Sequence, residues 1–271
     1  MPLISIITAS YAPSAEYLPE TIKSVEALEL PDGWELEWIV QEDGDTPQLS
    51  ERFVGVDIVR YAANGQQLGI ASTRNLALSR ASGVLLQALD QDDVLLSDAF
   101  LTLIPRFEEH PIHWAIGQAD DLLPNGERRP YPSPISFGLQ KAGVINAYAG
   151  EQGANWPIHG AALMLRAASF RALGGWSGIP YDDELATFAA LSQITDGYYD
   201  EAITWLYRHH PKQTHRTEGS RALSAECRRF ALQRAAILEA SGLRFPPETA
   251  VGFESHPLDL HVGPAEKDTS L

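Results

Sequence analysis

The stretch VLLQALDQDD, residues 84–93, decides the fold of this chain. Its apolar half follows Gly83 and has the length of a buried strand. Its acidic half places three carboxylates within four positions directly after that strand. The stretch therefore predicts a central strand whose C-terminal end opens onto a polar site.

The spacing of Asp90 and Asp92 predicts what that polar site binds. In an extended backbone, residues two apart project their side chains to the same side, and Asp93 points away. Two carboxylates that close repel each other unless one takes a proton or both bind a cation. Oxygen ligands favour Mg²⁺ or Mn²⁺, and such an ion completes its shell with water and substrate phosphate oxygens. We therefore expect a metal diphosphate ligand, with a solvated acidic turn as the competing interpretation.

The composition limits the class of protein. A chain of 271 residues with 44% hydrophobic content is long enough for one large α/β domain with embellishments. The formal net charge of −16 argues against a nucleic acid or an anionic membrane as partner. The single cysteine, Cys227, excludes an internal disulfide and fits a reducing compartment. No apolar run has the roughly 18 residues that a membrane span needs, so we expect a cytoplasmic protein.

Strands and helices alternate before the acidic stretch. Apolar, β-branched runs predict strands at residues 3–9 and 34–40. Helical periodicity predicts one helix between these strands and another over residues 70–80. This order is typical of a parallel sheet with crossover helices, which binds ligands at the carboxyl ends of its strands.

The second half of the chain is less regular. Helices are predicted over residues 97–110, from Asp182-Asp183 through residue 191, and over 220–240, and short strands are predicted at 114–117 and 205–208. Residues 128–148, rich in Pro, Gly and Ser, predict a loop that packs or moves over a site. The proline-containing C-terminus predicts an ordered wrap that becomes a loose tail.

Seven short motifs follow one another along the chain. They are Ile6–Tyr11, Glu42–Gly44, Gly69–Asn75, Leu89–Asp93, Gly174–Trp176, Asp182–Asp183 and Tyr207–His210. In this order they resemble the motifs of the family 2 inverting glycosyltransferases of the GT-A fold, and the resemblance covers about residues 3–215. The resemblance implies a metal-dependent enzyme that moves one sugar from a nucleotide diphosphate sugar, with a UDP-linked sugar expected, to a hydroxyl of a small-molecule or glycan acceptor.

The resemblance also implies a domain organisation. It predicts a single α/β domain with a mixed, mainly parallel sheet flanked by helices. Residues 1–219 would form this GT-A domain, with a nucleotide-sugar half at about 1–95 and an acceptor half at about 96–219. Residues 220–271 would add a C-terminal helix and a tail packed on the domain.

In this family the loop after the first strand and the acid after the second hold the nucleotide base and the ribose. The candidates for these contacts are Thr8, Ala9, Tyr11, Glu42 and Asp43. The resemblance further places Arg74 against the diphosphate or against Asp90, and adds Gln91 and Asp90 to the donor site. Asp92 and His210 would hold Mn²⁺ or Mg²⁺. The competing interpretations are a plain turn at 43–44 and an exposed helix arginine at 74.

Asp183 is implied as the catalytic base. A carboxylate near the acceptor hydroxyl removes its proton as the oxygen attacks the anomeric carbon, opposite the departing diphosphate. The competing interpretation is a helix N-cap formed by Asp182 and Asp183. Trp156, His159 and Asp182 are the candidates for lining the acceptor pocket, since aromatic faces suit sugars.

Departures from the family pattern narrow the expected activity. Glu42 stands where an Asp is commoner, and the helix after Asp183 lacks the arginine often seen there. Residues 213–217 resemble the Gln-x-x-Arg-Trp motif of processive synthases but lack its Trp, so we expect one sugar per encounter. A sugar nucleotidyltransferase would need a glycine-rich, basic phosphate loop that residues 8–13 do not offer. A nucleotide-sugar-binding protein without turnover is the other alternative.

Overall fold

A computed structural model of the protein describes residues 1–213 and 218–250. Its strands are β1 (Leu3–Tyr11), β2 (Glu35–Asp43), β3 (Val59–Ala63), β4 (Leu85–Ala88), β5 (Val94–Leu95), β6 (Trp114–Leu122), β7 (Arg128–Pro130), β8 (Gly138–Gln140), β9 (Met164–Arg166) and β10 (Gly197–Arg208). Its helices are α1 (Leu18–Glu26), α2 (Ile70–Arg80), α3 (Ala99–Glu109), α4 (Val144–Glu151), α5 (Ala167–Ala172), α6 (Asp183–Ile194) and α7 (Glu218–Ser241).

The strands form one mixed sheet in the order β3-β2-β1-β4-β9-β6-β10-β5, with β7 paired to β6 and β8 paired to β10. Strands β1 to β4 pair in parallel, and so do β6 and β10. Short β9 joins these two parts by pairing antiparallel with both β4 and β6. The carboxyl ends of β1, β2 and β4 therefore meet at one edge, which is where the sequence places its acids.

Helices cover both faces of this sheet, so its central strands are apolar on both sides. On one face, α1 and α3 contribute Leu18, Val25, Phe100, Leu103 and Ile104 to a buried core. On the other face, α6 is buried along almost its whole length beneath α4 and α7. The prediction of a mixed, mainly parallel sheet flanked by helices is confirmed.

Two predicted elements differ from the structure for physical reasons. Strand β10 begins at Gly197 and not at residue 205, because register shifts between Tyr199 and Trp205 interrupt its alternating pattern. Residues 128–148 contain β7, β8 and the first part of α4 where the sequence predicts a loop. Strand β7 forms a hairpin with the end of β6, and β8 pairs with β10, which is distant in the chain. Both strands have only three residues, so each carries little local sequence signal. Residues 214–217 and the C-terminal tail after residue 250 lie outside the described residues.

Gly197 lies at a tightly packed position in the second part of the sheet. A Cβ at this position would lie 1.9 Å from Trp114, whose ring is fully buried. We expect Gly197→Ala to destabilise the protein by about 3 kcal/mol or more, because the rigid indole has no room to move. Gly150→Ala is the matched control, since nothing lies within 4 Å of its Cβ and it sits in helix α4. The control variant should gain about 0.5–1 kcal/mol in free energy of unfolding. Urea unfolding measures the stability of both variants. Equal stabilities of the two variants would contradict the prediction.

Candidate functional site

The acids of the deciding stretch lie in a tight turn and not in the extended backbone that the sequence predicts. Strand β4 ends at Ala88, and the Asp93 N–H donates to the Asp90 carbonyl at 3.3 Å. The turn forms because the chain must leave β4 and enter β5, which pairs with β10. As a result Asp90 and Asp92 do not share one partner: Asp90 faces Arg74, and Asp92 faces His210.

Arg74, on α2, joins the acidic turn to the start of α6. Its Nη2 lies 2.5 Å from Asp90 Oδ1, and its Nη1 lies 2.9 Å from Asp183 Oδ2 and 3.3 Å from Glu184 Oε2. Only 2% of the arginine side chain is exposed. A buried guanidinium needs such partners, and its planar fork can serve carboxylates on two sides at once.

Burial and mutual repulsion set the protonation of this group. Burial lowers the pKa of Arg74, but the three carboxylates outweigh it and raise that pKa above its ordinary value. Burial raises the pKa of Asp90 to about 6, with Arg74 opposing the shift and the charge of Asp92 adding to it. Burial and the charge of Asp183 raise the pKa of Glu184 to about 7, against the effect of Arg74. Asp90 and Glu184 therefore hold their protons to a higher pH than exposed acids do.

Asp92 and His210 form the second part of the site. Asp92 Oδ2 lies 2.7 Å from His210 Nε2, and the histidine ring packs against Tyr17 with 5.0 Å between ring centroids. The His210 ring is almost fully buried, and its Nδ1 makes no hydrogen bond among the described residues. Two potential metal ligands, His210 Nε2 and Asp92 Oδ2, therefore lie next to each other.

Arg208 holds the turn in position beneath this pair. Its backbone N–H donates to Asp93 Oδ1 at 2.9 Å, and its Nε donates to the Asp92 carbonyl at 2.7 Å. Burial, together with the charges of Asp92 and Asp90, raises the pKa of Asp93 well above its ordinary value. Asp93 therefore fixes the acidic turn to the end of β10 through its hydrogen bond with the Arg208 backbone.

The donor set fits a divalent ion that is only partly bound by protein. Between residues 1 and 213 and between 218 and 250, no cluster of three or more His, Cys, Asp or Glu side chains has a metal-binding arrangement. An ion at Asp92 and His210 would take these two protein ligands and complete its shell with water and diphosphate oxygens, as Mg²⁺ and Mn²⁺ commonly do.

Two acids predicted to hold the nucleotide are engaged by the chain itself. Glu42 accepts hydrogen bonds from the backbone N–H groups of residues 48–49, at 2.9 Å each, and from the Tyr61 hydroxyl. Asp43 accepts from the backbone N–H groups of residues 68–69 at 2.6 and 3.0 Å. Both carboxylates therefore shape the loops at this edge of the sheet, and their direct contact with a base or a ribose stays a prediction.

Gln91 ties the loop after β1 to the acidic turn. The Tyr11 N–H donates to Gln91 Oε1 at 2.9 Å, and Gln91 Nε2 donates to the Tyr11 carbonyl at 3.3 Å. The Thr8 hydroxyl is fully buried and donates to the Leu89 carbonyl at 2.9 Å, so its role is internal. Ala9 is half-buried beside it, and the half-exposed Tyr11 ring is the candidate at this loop with an accessible face.

The predicted acceptor residues Trp156 and His159 lie in different surroundings. Trp156 is buried in the core, and its indole N–H donates to Asn146 Oδ1 at 3.0 Å, which leaves it little surface for an acceptor. His159 is exposed and lies 4.9 Å from the Tyr207 ring and 5.9 Å from the Tyr131 ring, measured between centroids. The aromatic surface beside the cleft is therefore built around His159 and not around Trp156.

Asp182, predicted to line the acceptor pocket, has its side chain engaged by helix α7. Its carboxylate accepts a hydrogen bond from Ser224 at 2.5 Å and lies 3.4 Å from Arg228, both on α7. Its backbone has a φ of 54°, a left-handed conformation that costs energy for a residue other than glycine. Asp182 thus fixes the start of α6 by turning its side chain toward α7.

Sequence reasoning missed the role of Glu184, which reaches Arg74 alongside Asp183. The available signal was the run of three acids at residues 182–184, of which only the first two match the family motif. The structure brings together Arg74, Asp90 and Asp183, with Asp92 and His210 adjacent through the acidic turn. Carboxylates, a buried cation and a candidate metal-ligand pair therefore lie close together at this edge of the sheet.

Comparisons with known proteins agree with this fold. The family model for glycosyl transferase family 2 matches residues 5–173, which is more than half of the chain. The chain belongs to this family and is a glycosyltransferase with a GT-A fold. No curated protein matches the chain.

Solved structures of TarS from S. aureus are similar in fold. The structure of TarS 1–349 with UDP-GlcNAc has a TM-score of 0.66 and 15% identity, and the match covers 92% of this chain and 69% of that one. The complex of the same fragment with UDP has a TM-score of 0.65 and 13% identity, with 92% and 68% covered. A further crystal structure of TarS has a TM-score of 0.63 and 13% identity, and the match covers 92% of this chain and 41% of that one. At these identities the likeness concerns the fold.

Proposed function

We propose that this chain is a metal-dependent, inverting glycosyltransferase that moves one sugar from a UDP-linked donor to a hydroxyl of a glycan or small-molecule acceptor. The observation that carries the proposal is Arg74, which links Asp90 on the donor side to the acids at the start of α6. The Asp92 and His210 pair lies directly beside it. Two similar structures that contain UDP and UDP-GlcNAc support a UDP-sugar as the donor.

The proposed reaction is a single displacement. A carboxylate at the start of α6, predicted from the sequence to be Asp183, takes the proton of the acceptor hydroxyl as its oxygen bonds to the anomeric carbon. The bond between that carbon and the diphosphate oxygen breaks on the opposite face, and UDP leaves with the electron pair. Attack opposite the leaving group inverts the configuration of the sugar.

Asp92 and His210 are the residues that would hold Mn²⁺ or Mg²⁺. The bound ion would offset negative charge on the departing diphosphate. Asp90, which is held by Arg74, would accept hydrogen bonds from the ribose of the donor.

We also infer the division of the chain from how its elements pack. Residues 1–95 would hold the donor and residues 96–219 the acceptor, and α7 packs on α6 as the first part of the C-terminal segment 220–271. In the part of the chain that the structure describes, no helix is both long enough and apolar enough to cross a membrane.

Release of UDP tests this function against its two alternatives. We expect the protein to release UDP slowly from UDP-GlcNAc when Mn²⁺ or Mg²⁺ is present, with water as the acceptor, and EDTA should stop the release. Thermal stabilisation by UDP without any release would mean a binding protein instead. Formation of a UDP-sugar from UTP and a sugar phosphate, with pyrophosphate released, would mean a nucleotidyltransferase.

A further inference from the structure

Two neighbouring carboxylates at the start of α6 share one cation but differ in access to the cleft. Asp183 and Glu184 both reach Arg74 Nη1, at 2.9 and 3.3 Å. The Asp183 side chain is 3% exposed, whereas the Glu184 side chain is 26% exposed. The acid that matches the family motif is therefore the one enclosed by protein.

Asp183 has little freedom to receive a proton from a substrate. Its Oδ2 is bound to a guanidinium that is itself buried, and leaving that contact would strand a charge away from water. A general base must come within hydrogen-bond reach of the hydroxyl whose proton it takes. Asp183 is placed instead to fix the position of Arg74.

Glu184 has the access that Asp183 lacks. Its side chain packs against Gly160, where an added Cβ would lie 2.6 Å from Glu184 Cγ, so the glycine leaves the space that this side chain occupies. Gly160 directly follows His159, which is part of the aromatic surface at the cleft. Glu184 therefore lies next to the surface that suits a sugar acceptor.

The charged groups around Glu184 favour a base that works near neutral pH. Arg74 faces it from α2, Asp183 from its own helix and Asp90 from the acidic turn, while the segment Gly160–Ala162 contributes no titratable group. Burial and the Asp183 charge raise the pKa of Glu184 to about 7. A base with a pKa near the working pH combines sufficient ionisation with sufficient basicity.

We infer that Glu184 is the catalytic base and that Asp183 is a positioning residue acting through Arg74. The proton of the acceptor hydroxyl passes to the Glu184 carboxylate, the acceptor oxygen bonds to the anomeric carbon, and the bond to the diphosphate breaks with UDP taking the electron pair. This inference rests on the proposed sugar transfer.

The test compares Glu184→Gln with Asp183→Asn, using UDP-GlcNAc, Mn²⁺ and water as the acceptor. We expect Glu184→Gln to lower kcat for UDP release by about 100-fold or more while UDP affinity and Tm stay near wild type. The wild-type rise of kcat with pH, centred near 7, should disappear in Glu184→Gln and persist in Asp183→Asn. A merely structural residue would not change that pH profile selectively.

Azide gives an independent readout, because this anion attacks the anomeric carbon without needing a base. Azide should restore UDP release and form a glycosyl azide in Glu184→Ala but not in Asp183→Ala. Wild-type kcat in Glu184→Gln, a retained pH profile in that variant, or rescue of Asp183→Ala alone would overturn the inference. Absence of UDP release from the wild type under all metals would instead refute the proposed transfer itself.

Discussion

Replacing Arg74 with methionine is expected to destabilise the protein by about 3–5 kcal/mol at pH 8, because removing one partner of a buried ion pair leaves uncompensated charge. Methionine retains most of the apolar volume of the arginine stem but supplies no hydrogen-bond donor. Asp90, Asp183 and Glu184 would then repel one another in a site almost closed to water. We expect UDP release from a UDP-linked sugar to be lost as well, since Asp90 and the two acids at the start of α6 lose their common partner.

The pH dependence distinguishes this mechanism from a simple packing defect. Without the guanidinium, the folded-state pKa values of Asp90 and Glu184 rise further above their unfolded values. A raised carboxyl pKa stabilises the fold only while the group is protonated. The loss of stability in Arg74→Met should therefore be small near pH 5 and should grow as the pH rises toward 8.

Urea unfolding at both pH values measures the effect. Lys141→Met is the control, because Lys141 pairs with Asp196 at 2.7 Å and the two side chains are 67% and 27% exposed. Exposed pairs contribute at most about 1 kcal/mol, so the control should stay close to wild type. A loss in Arg74→Met that equals the control, or that does not change with pH, would contradict the central role of this ion pair.

Asp92→Asn is expected to weaken metal-dependent binding of UDP by more than about 100-fold. The substitution keeps the size of the side chain but removes the negative charge that a hard divalent ion requires, and it leaves His210 without its carboxylate partner. UDP binding measured without metal should change much less, because the nucleotide loops remain intact.

Calorimetric titration of UDP with and without Mn²⁺ separates these two contributions. Asp57→Asn serves as the control, since Asp57 is exposed and lies away from the acidic turn. The control should bind UDP as the wild type does. An unchanged UDP affinity of Asp92→Asn in Mn²⁺ would remove Asp92 from the metal site and leave the role of His210 without support.

The sequence predicted the strand and the acids but not their geometry. An apolar run followed by Asp90 and Asp92 is visible locally, because both burial and charge are properties of a few neighbouring residues. The tight turn that separates these acids depends on β5 pairing with β10, more than one hundred residues away along the chain. Local patterns do not encode such distant pairing, so the extended backbone expected for Asp90 and Asp92 was wrong.

The same limit explains the differences at the acceptor side. Three acids in a row at the start of α6 look equivalent in sequence, yet Asp182 turns to α7, Asp183 is enclosed, and Glu184 remains partly open. Trp156 has the aromatic side chain expected of a sugar-binding residue, but it packs inside the core. Which of several suitable side chains faces a cleft is decided by tertiary packing, which a single sequence without its fold does not reveal.

Strand β9 has a consequence for how this enzyme can move. It pairs with β4 on one side and β6 on the other, so backbone hydrogen bonds run without interruption from the parallel strands β1–β4 to β6 and β10. Opening the two parts of the sheet about a hinge would have to break these backbone hydrogen bonds. Hinge bending between the two parts of the sheet is therefore opposed by the backbone hydrogen bonds of β9.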